Sequence, residues 1–307
     1  LHNVAHSFPT RRSSDLSVEL LGAEPRLPEW IGQSEPLRQL LACWMDGVDE
    51  SDPPLSPRIT GVPGVGKTTL AMAGARVRGQ SCWVQQCTSD TRPEDLVITP
   101  VLGDAGKILY RASPLLSAVV EGGVCVLDEG NRMSEKAWAS LAALLDHRRC
   151  VDSVTAGVRV QAHPGFRICV TMNEDGSTFD LPDYVVSRLQ PRIEIGFPGA
   201  LEEERILAHH APRAEAELRA MCVAYLQDAH DLDLPFSVRD GINLVRLATR
   251  LGSSDGTSAM ESFPEAVRRV LGPEALDLRS LRRSRPGPAR TDSDEYFFDP
   301  DEDDLRG

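Results

Sequence analysis

The chain has 307 residues, 41% of them hydrophobic, and a net charge of −13 from 33 basic and 46 acidic side chains. That length supports one large or two modest domains. No apolar run approaches the roughly 20 residues that a bilayer crossing needs, and no signal-like core opens the chain, so a cytoplasmic location is expected. Residues 292–307 hold eight acids and one Arg, leaving −6 for the body, a balance that argues against a nucleic-acid-binding surface.

Seven cysteines are scattered without a C-x-x-C pair, which argues against structural zinc and disulfides. Residues 6–16 resemble the translation of a sequencing-library adapter. Residues 1–16 are therefore expected to be an adapter-like artefact or a disordered leader, with native sequence beginning near Ser17. Leu37, Leu40, Leu41 and Trp44 then follow helical spacing, with Ser34 as the expected cap. Residues 46–57, rich in Asp, Ser and Pro, read as a loop.

The next stretch organises the chain. Gly61, Val62, Pro63, Gly64, Val65, Gly66, Lys67 and Thr68, with Thr69 after them, fit G-x-x-x-x-G-K-[ST] between a short strand (58–60) and a helix (70–77). A polyphosphate must be met by many backbone N–H groups at once. The loop is therefore glycine-rich and bends closely around the anion, while the following helix turns its positive end toward it. Lys67 is expected to reach the outer phosphates and the Thr68 hydroxyl to complete a magnesium shell.

Residues 81–86 predict a second strand, and 88–111 an inserted element with a small hairpin. Residues 114–120 predict a short helix. Val124, Cys125, Val126 and Leu127 followed by Asp128 and Glu129 describe a fully buried parallel strand with acids at its C-terminal edge, where ligands of open α/β sheets gather. Asp128 is placed to hold magnesium, and Glu129 to orient or deprotonate an attacking water. Residues 134–145 predict a helix capped by Ser134, and 149–160 a hairpin. A third buried strand, 166–173, ends in Asn173, expected beside Glu129. A helix over 181–189 and a strand over 191–195 close the sheet. Residues 201–208, 214–230, 237–251 and 262–271 all predict helices. Residues 278–290, with five Arg and two Pro, and the acidic end read as disordered. The domains expected are an α/β core over 27–199, with a parallel sheet sandwiched by helices, an all-α lid over 200–275, and a tail over 276–307.

These motifs together resemble the AAA+ ATPases, and within them the MoxR-like, dynein-related group. The likeness runs over roughly 28–251, with Asn131 and Arg132 following the acids as in that group. It implies a P-loop NTPase core, ATP and Mg2+ as ligands, ATP hydrolysis, and a ring, expected as a hexamer, with nucleotide between subunits. Asn173 takes the sensor-1 position, and Ile31 and Gly32 resemble the adenine-side segment. Ser187-Arg188-Leu189 resembles the segment carrying the arginine finger, although its Ser and Leu depart from the family's Asp and Phe; Arg192 is the competing candidate. Arg239 resembles the sensor-2 arginine. The resemblance further implies a chaperone or remodeller of a protein client, with a von Willebrand factor A-domain partner. The other readings are a nucleotide-dependent adaptor and a nuclease-associated P-loop motor. An ABC-type signature before the acidic strand and a GTPase N-K-x-D motif are absent from the sequence.

Overall fold

The structure, a computed structural model, describes residues 6–7, 17–47, 52–102, 108–173 and 181–284. In chain order it begins with β1 (His6–Ser7), β2 (Ser17–Glu19), α1 (Ser34–Cys43), β3 (Arg58–Gly61), α2 (Lys67–Val77) and β4 (Cys82–Gln86). A hairpin of β5 (Ile98–Leu102) and β6 (Ile108–Ala112) comes next, then α3 (Pro114–Glu121), β7 (Val124–Asp128) and α4 (Glu135–Leu141). A second hairpin, β8 (Cys150–Ser153) and β9 (Val158–Gln161), precedes β10 (Arg167–Asn173), α5 (Asp183–Val186) and β11 (Arg192–Glu194). Helices α6 (Ala200–His210), α7 (Ala216–Asp231), α8 (Val238–Asp255), α9 (Phe263–Val270) and α10 (Leu278–Ser284) complete the described chain.

Five strands form one parallel sheet in the order β11-β3-β10-β7-β4. Strands buried on both faces must be apolar throughout. Val124 to Leu127 of β7 are fully buried, and so are Ile168, Cys169 and Val170 of β10, whose polar Thr171 and Asn173 come at the strand's C-terminal end. The register levels the strand ends: Asn173 lies opposite Gly61, and Gln86 opposite Asp128. Parallel strands thus deliver the phosphate loop, the acids and Asn173 to one edge.

Two apolar layers sandwich the sheet. On one face α1 and α2 pack through Leu40, Trp44, Leu70 and Ala71. Small residues let α2 lie close, and a Cβ at Gly74 would press 2.9 Å from Leu40 and Trp44. On the other face Leu115, Leu116, Trp138, Leu141 and Phe166 meet Leu127 and Val170. Arg167 is itself buried; it donates to the Trp44 carbonyl at 2.7 Å and pairs with Asp46, which pins the turn after α1. A third core joins α6 to α9 through Leu207, Leu218, Leu226, Leu244 and Phe263. All seven cysteines are free and buried. No described helix is long and apolar enough to cross a membrane.

Several local expectations change. His6–Ser7 pairs antiparallel with Ser17 and Val18, so part of the segment set aside joins the second sheet, ordered β1-β2-β6-β5. Residues 8–16 lie outside the described residues. Gln33 caps α1, and Ser34 is already its first residue with no side-chain cap bond. The helices expected over 134–145 and 181–189 are shorter, spanning Glu135–Leu141 and Asp183–Val186. Residues 278–284, expected to be disordered, form α10. Asp277 accepts from the Ser280 amide at 3.1 Å, and Leu278 and Leu281 pack on the helical core. The rest of the tail lies outside the described residues.

Candidate functional site

The loop after β3 turns through left-handed backbone before α2 begins. Gly66, at φ 99°, is the N-cap of α2, and the Leu70 amide closes the first turn on its carbonyl at 2.8 Å. The first amides of α2 therefore have no partner within the helix and face the cleft with the positive end of its dipole. Gly64 sits at φ 87°, and a Cβ there would overlap the Ser237 hydroxyl. Only glycine lets the helical lid approach this closely.

A cleft of about 100 Å³ opens at this edge, lined by Pro63, Gly64, Gly66, Lys67, Thr68, Thr69, Asp128, Glu129, Asn173 and Arg239. Thr171 also lines it. Lys67 is 7% exposed, and its ammonium donates to the carbonyls of Gly61 and Val62, each at 2.8 Å. Its charge is thereby fixed at the base of the loop. The Thr68 and Thr171 hydroxyls both donate to Asp128 Oδ1 at 2.6 Å. Thr171 also accepts the Glu129 amide at 3.0 Å. One hydroxyl thus ties the two acids together. Glu129 needs that tie, because it is a non-glycine residue held at φ 56°, which costs about 1–2 kcal/mol of backbone strain.

Both Glu129 oxygens are engaged. Asn173 Nδ2 donates to Oε1 at 3.0 Å; Arg132 Nε lies 2.8 Å from Oε2, and Gln86 approaches the same oxygen at 3.4 Å. The Arg132 contact is an ion pair by distance without hydrogen-bond alignment. Asn131, buried, donates to the Asn173 carbonyl at 2.8 Å and so fixes the end of β10. Asp128 and two hydroxyls form a set of hard oxygen donors, which suits a magnesium ion completed by phosphate oxygens and water.

Arg239 enters from the lid, one residue into α8, whose start is fixed by a capping box of Ser237 and Asp240. Among the described residues it makes no hydrogen bond or ion pair. Arg188 lies outside the cleft. It donates to the Tyr184 carbonyl at 2.6 Å, stacks over the Tyr184 ring, and its Nε lies 3.9 Å from Asp146. Arg192 sits near the opening of β11 and donates to Thr60 Oγ1 at 2.9 Å. Ile31, Gly32, Gly61, Val62 and Val65 also stay off the cleft lining. The Trp30 ring packs on both Gly32 and Gly66.

Sequence reading missed Thr171, Gln86 and Trp30. Two had a legible signal: Thr171 lies two residues before Asn173 and so on the same face of its strand, and Gln86 ends the strand beside Asp128. Trp30 had none, since its contact with the loop is tertiary.

Residues 59–189 match the AAA domain of the dynein-related subfamily. The denitrification regulatory protein NirQ of Stutzerimonas stutzeri is 31% identical over 188 residues, covering 59% of this chain and 67% of that protein. Protein MoxR of Paracoccus denitrificans is 29% identical over 152 residues, 49% of this chain and 44% of that protein. The Thermotoga maritima RuvB Holliday junction branch migration motor shares the fold, with a TM-score of 0.53 at 16% identity over 78% of this chain and 70% of its own. With its loop, acidic strand and helical C-terminal region in this order, the chain belongs to the dynein-related AAA family, as a MoxR-like AAA+ protein with a P-loop α/β core.

Proposed function

We propose that this chain binds ATP with magnesium, hydrolyses it between the copies of a hexameric ring, and uses the cycle to remodel a protein client. The observation that carries this reading is the convergence of Lys67, Thr68, Asp128, Glu129 and Asn173 on one strand edge, with Arg239 of the lid on the same cleft. Lys67 and the amides opening α2 bind the polyphosphate. Thr68 and Asp128 would hold magnesium, which when bound neutralises charge on the phosphate oxygens. Glu129 takes a proton from the attacking water as Asn173 orients it. Arg239 lets the lid sense the outer phosphate, and Gly64 under Ser237 couples the lid to the loop.

Arg188 is not part of its own cleft's lining and is held by Tyr184 and Asp146, which supports an action on a neighbouring copy's phosphate, where a guanidinium stabilises charge developing in the transition state. Arg192 is the alternative donor. A protein client fits the regulatory role in the name of NirQ. A von Willebrand factor A-domain partner and a cytoplasmic setting rest on the resemblance to MoxR-like proteins.

Glu129→Gln tests the reading. The variant keeps the charge-independent contacts of the side chain, so it should bind ATP and lose about 10²–10⁴-fold in turnover. By light scattering it should shift to a ring-sized mass with ATP and magnesium. Turnover near the parent value would remove Glu129 from the chemistry. A monomer in both conditions would remove the ring.

A further inference from the structure

We propose that the groove between the α6–α7 connection and α8 is the docking site of this chain's own acidic segment, residues 292–304. The groove encloses about 610 Å³ and is lined by His210, Pro212, Arg213, Ala214, Arg246 and Arg250, with no acid in its wall. In a body whose net charge is negative, three guanidinium groups facing one groove are a local reversal of sign. Arg246 is partly committed, since it donates to the His210 carbonyl at 2.9 Å and so closes the end of α6. Arg213 and Arg250 are exposed and make no hydrogen bond or ion pair with any described residue. Burial, His209 and Arg246 hold His210 below the usual histidine range, so near neutral pH the groove's charge is that of its arginines.

The segment's sequence is complementary in charge and apolar content. Asp292, Asp294 and Glu295 stand on one side of Tyr296-Phe297-Phe298, and Asp299, Asp301, Glu302, Asp303 and Asp304 on the other. Ala211, Pro212 and Ala214 are the groove's apolar lining, against which the aromatic trio packs, and the flanking carboxylates meet Arg213 and Arg250 in forked, charge-assisted pairs. Guanidinium groups at the rim also stack on aromatic rings. Reach is no obstacle. The chain leaves the lid at α10, which Arg282 ties to Asp233 at 3.1 Å. Twenty residues separate the end of α10 from Asp304, enough to span roughly 65 Å when extended, against about 30 Å for the diameter of a lid this size.

Carbodiimide crosslinking of the full chain tests the assignment, because it joins an amine to a carboxylate with no spacer. Only Lys67, Lys107 and Lys136 are native lysines. Arg213→Lys and Arg250→Lys place an amine in the groove without changing its charge. Arg269→Lys, facing Glu265 across a 2.7 Å ion pair, is the control for the chemistry. Mass spectrometry should find links from positions 213 and 250 to carboxylates of 292–304, within one chain. Their yield should fall about tenfold when Arg213→Glu is added to the Arg250→Lys chain, or in about 0.5 M salt. The proposal is overturned if the control links and the groove positions do not. It is equally overturned by products of twice the chain mass, or by a yield indifferent to Arg213→Glu.

Discussion

Glu203 offers a test of the junction between core and lid that does not depend on catalysis. It lies on α6 just after the strand-to-lid connection, and none of its surface reaches solvent. Gln227 of α7 donates one amide to Glu203 Oε2 at 2.9 Å and to the Pro198 carbonyl at 3.2 Å. The other oxygen, Oε1, has no hydrogen-bond partner among the described residues and lies 3.9 Å from His230 Nδ1. His230 Nε2 is 2.7 Å from the Phe236 carbonyl, so it carries the proton and leaves Nδ1 an acceptor. Two acceptors therefore face each other unless the carboxyl is protonated.

Burial pushes the Glu203 carboxyl up from 4.5 to about 7, while it lowers His230, so the pair does not rescue itself as an ion pair. Below pH 4.5 both folded and unfolded chains keep the proton. Between 4.5 and 7 the unfolded chain releases it first, and stability falls by about 1.4 kcal/mol per pH unit. Above 7 the loss levels at about 3 kcal/mol. Glu203→Gln keeps an acceptor for Gln227 and offers His230 a donor. It should match the parent to within about 1 kcal/mol at pH 5 and exceed it by about 3 kcal/mol at pH 8. Urea unfolding of both proteins at the two pH values measures the difference. Equal stability at pH 8, or a less stable variant there, would refute the buried-neutral reasoning.

Other expectations concern the cleft. Thr171→Val removes the hydroxyl shared by Asp128 and Glu129, leaving a partly buried carboxylate and an amide short of a partner at a cost of about 1–3 kcal/mol. Steady-state ATPase kinetics should show kcat down about 10–100-fold with ATP affinity nearly unchanged; parent-like kcat would sink the tie. Gly64→Ala forces a Cβ into Ser237 at a positive φ, so titration with a fluorescent nucleotide should show binding about tenfold weaker. Parent affinity would mean the lid does not rest on the loop. Arg188→Ala should be inactive alone and regain activity when mixed with Glu129→Gln subunits that donate the arginine; no recovery would turn attention to Arg192.

Local chemistry explains why so much of the cleft was readable. Phosphate binding by backbone amides forces glycines and a helix start into adjacent positions, so Gly61 to Thr68 announce themselves. A doubly covered strand ending in acids is equally compressed, and Val124 to Glu129 carry both fold and site in six residues. What was hidden depends on distant neighbours. Trp30 meets Gly66 across the tertiary fold, and Glu129, which Arg132 approaches, turns left-handed, which no residue in Asp128-Glu129-Gly130 signals on its own. Composition misled in α10, where arginines and prolines masked Leu278 and Leu281 at helical spacing after an Asp cap. Arg239 and Arg188 were named by resemblance, since an arginine alone does not say which phosphate it will face.

Burial keeps six of the seven thiols in their protonated form. Burial lifts the Cys43 thiol to about 11 and those of Cys82, Cys87 and Cys222 to about 12. A thiol at 11 is ionised in about one copy in ten thousand at neutral pH, and the thiolate is the reactive form. Introduced thiols on exposed positions, Glu217→Cys in the lid and Glu94→Cys in the core, would react with maleimide dyes far sooner than these native ones. With the native thiols buried, a donor and an acceptor fluorophore at these two positions would report the distance between them as nucleotide is added, in single molecules.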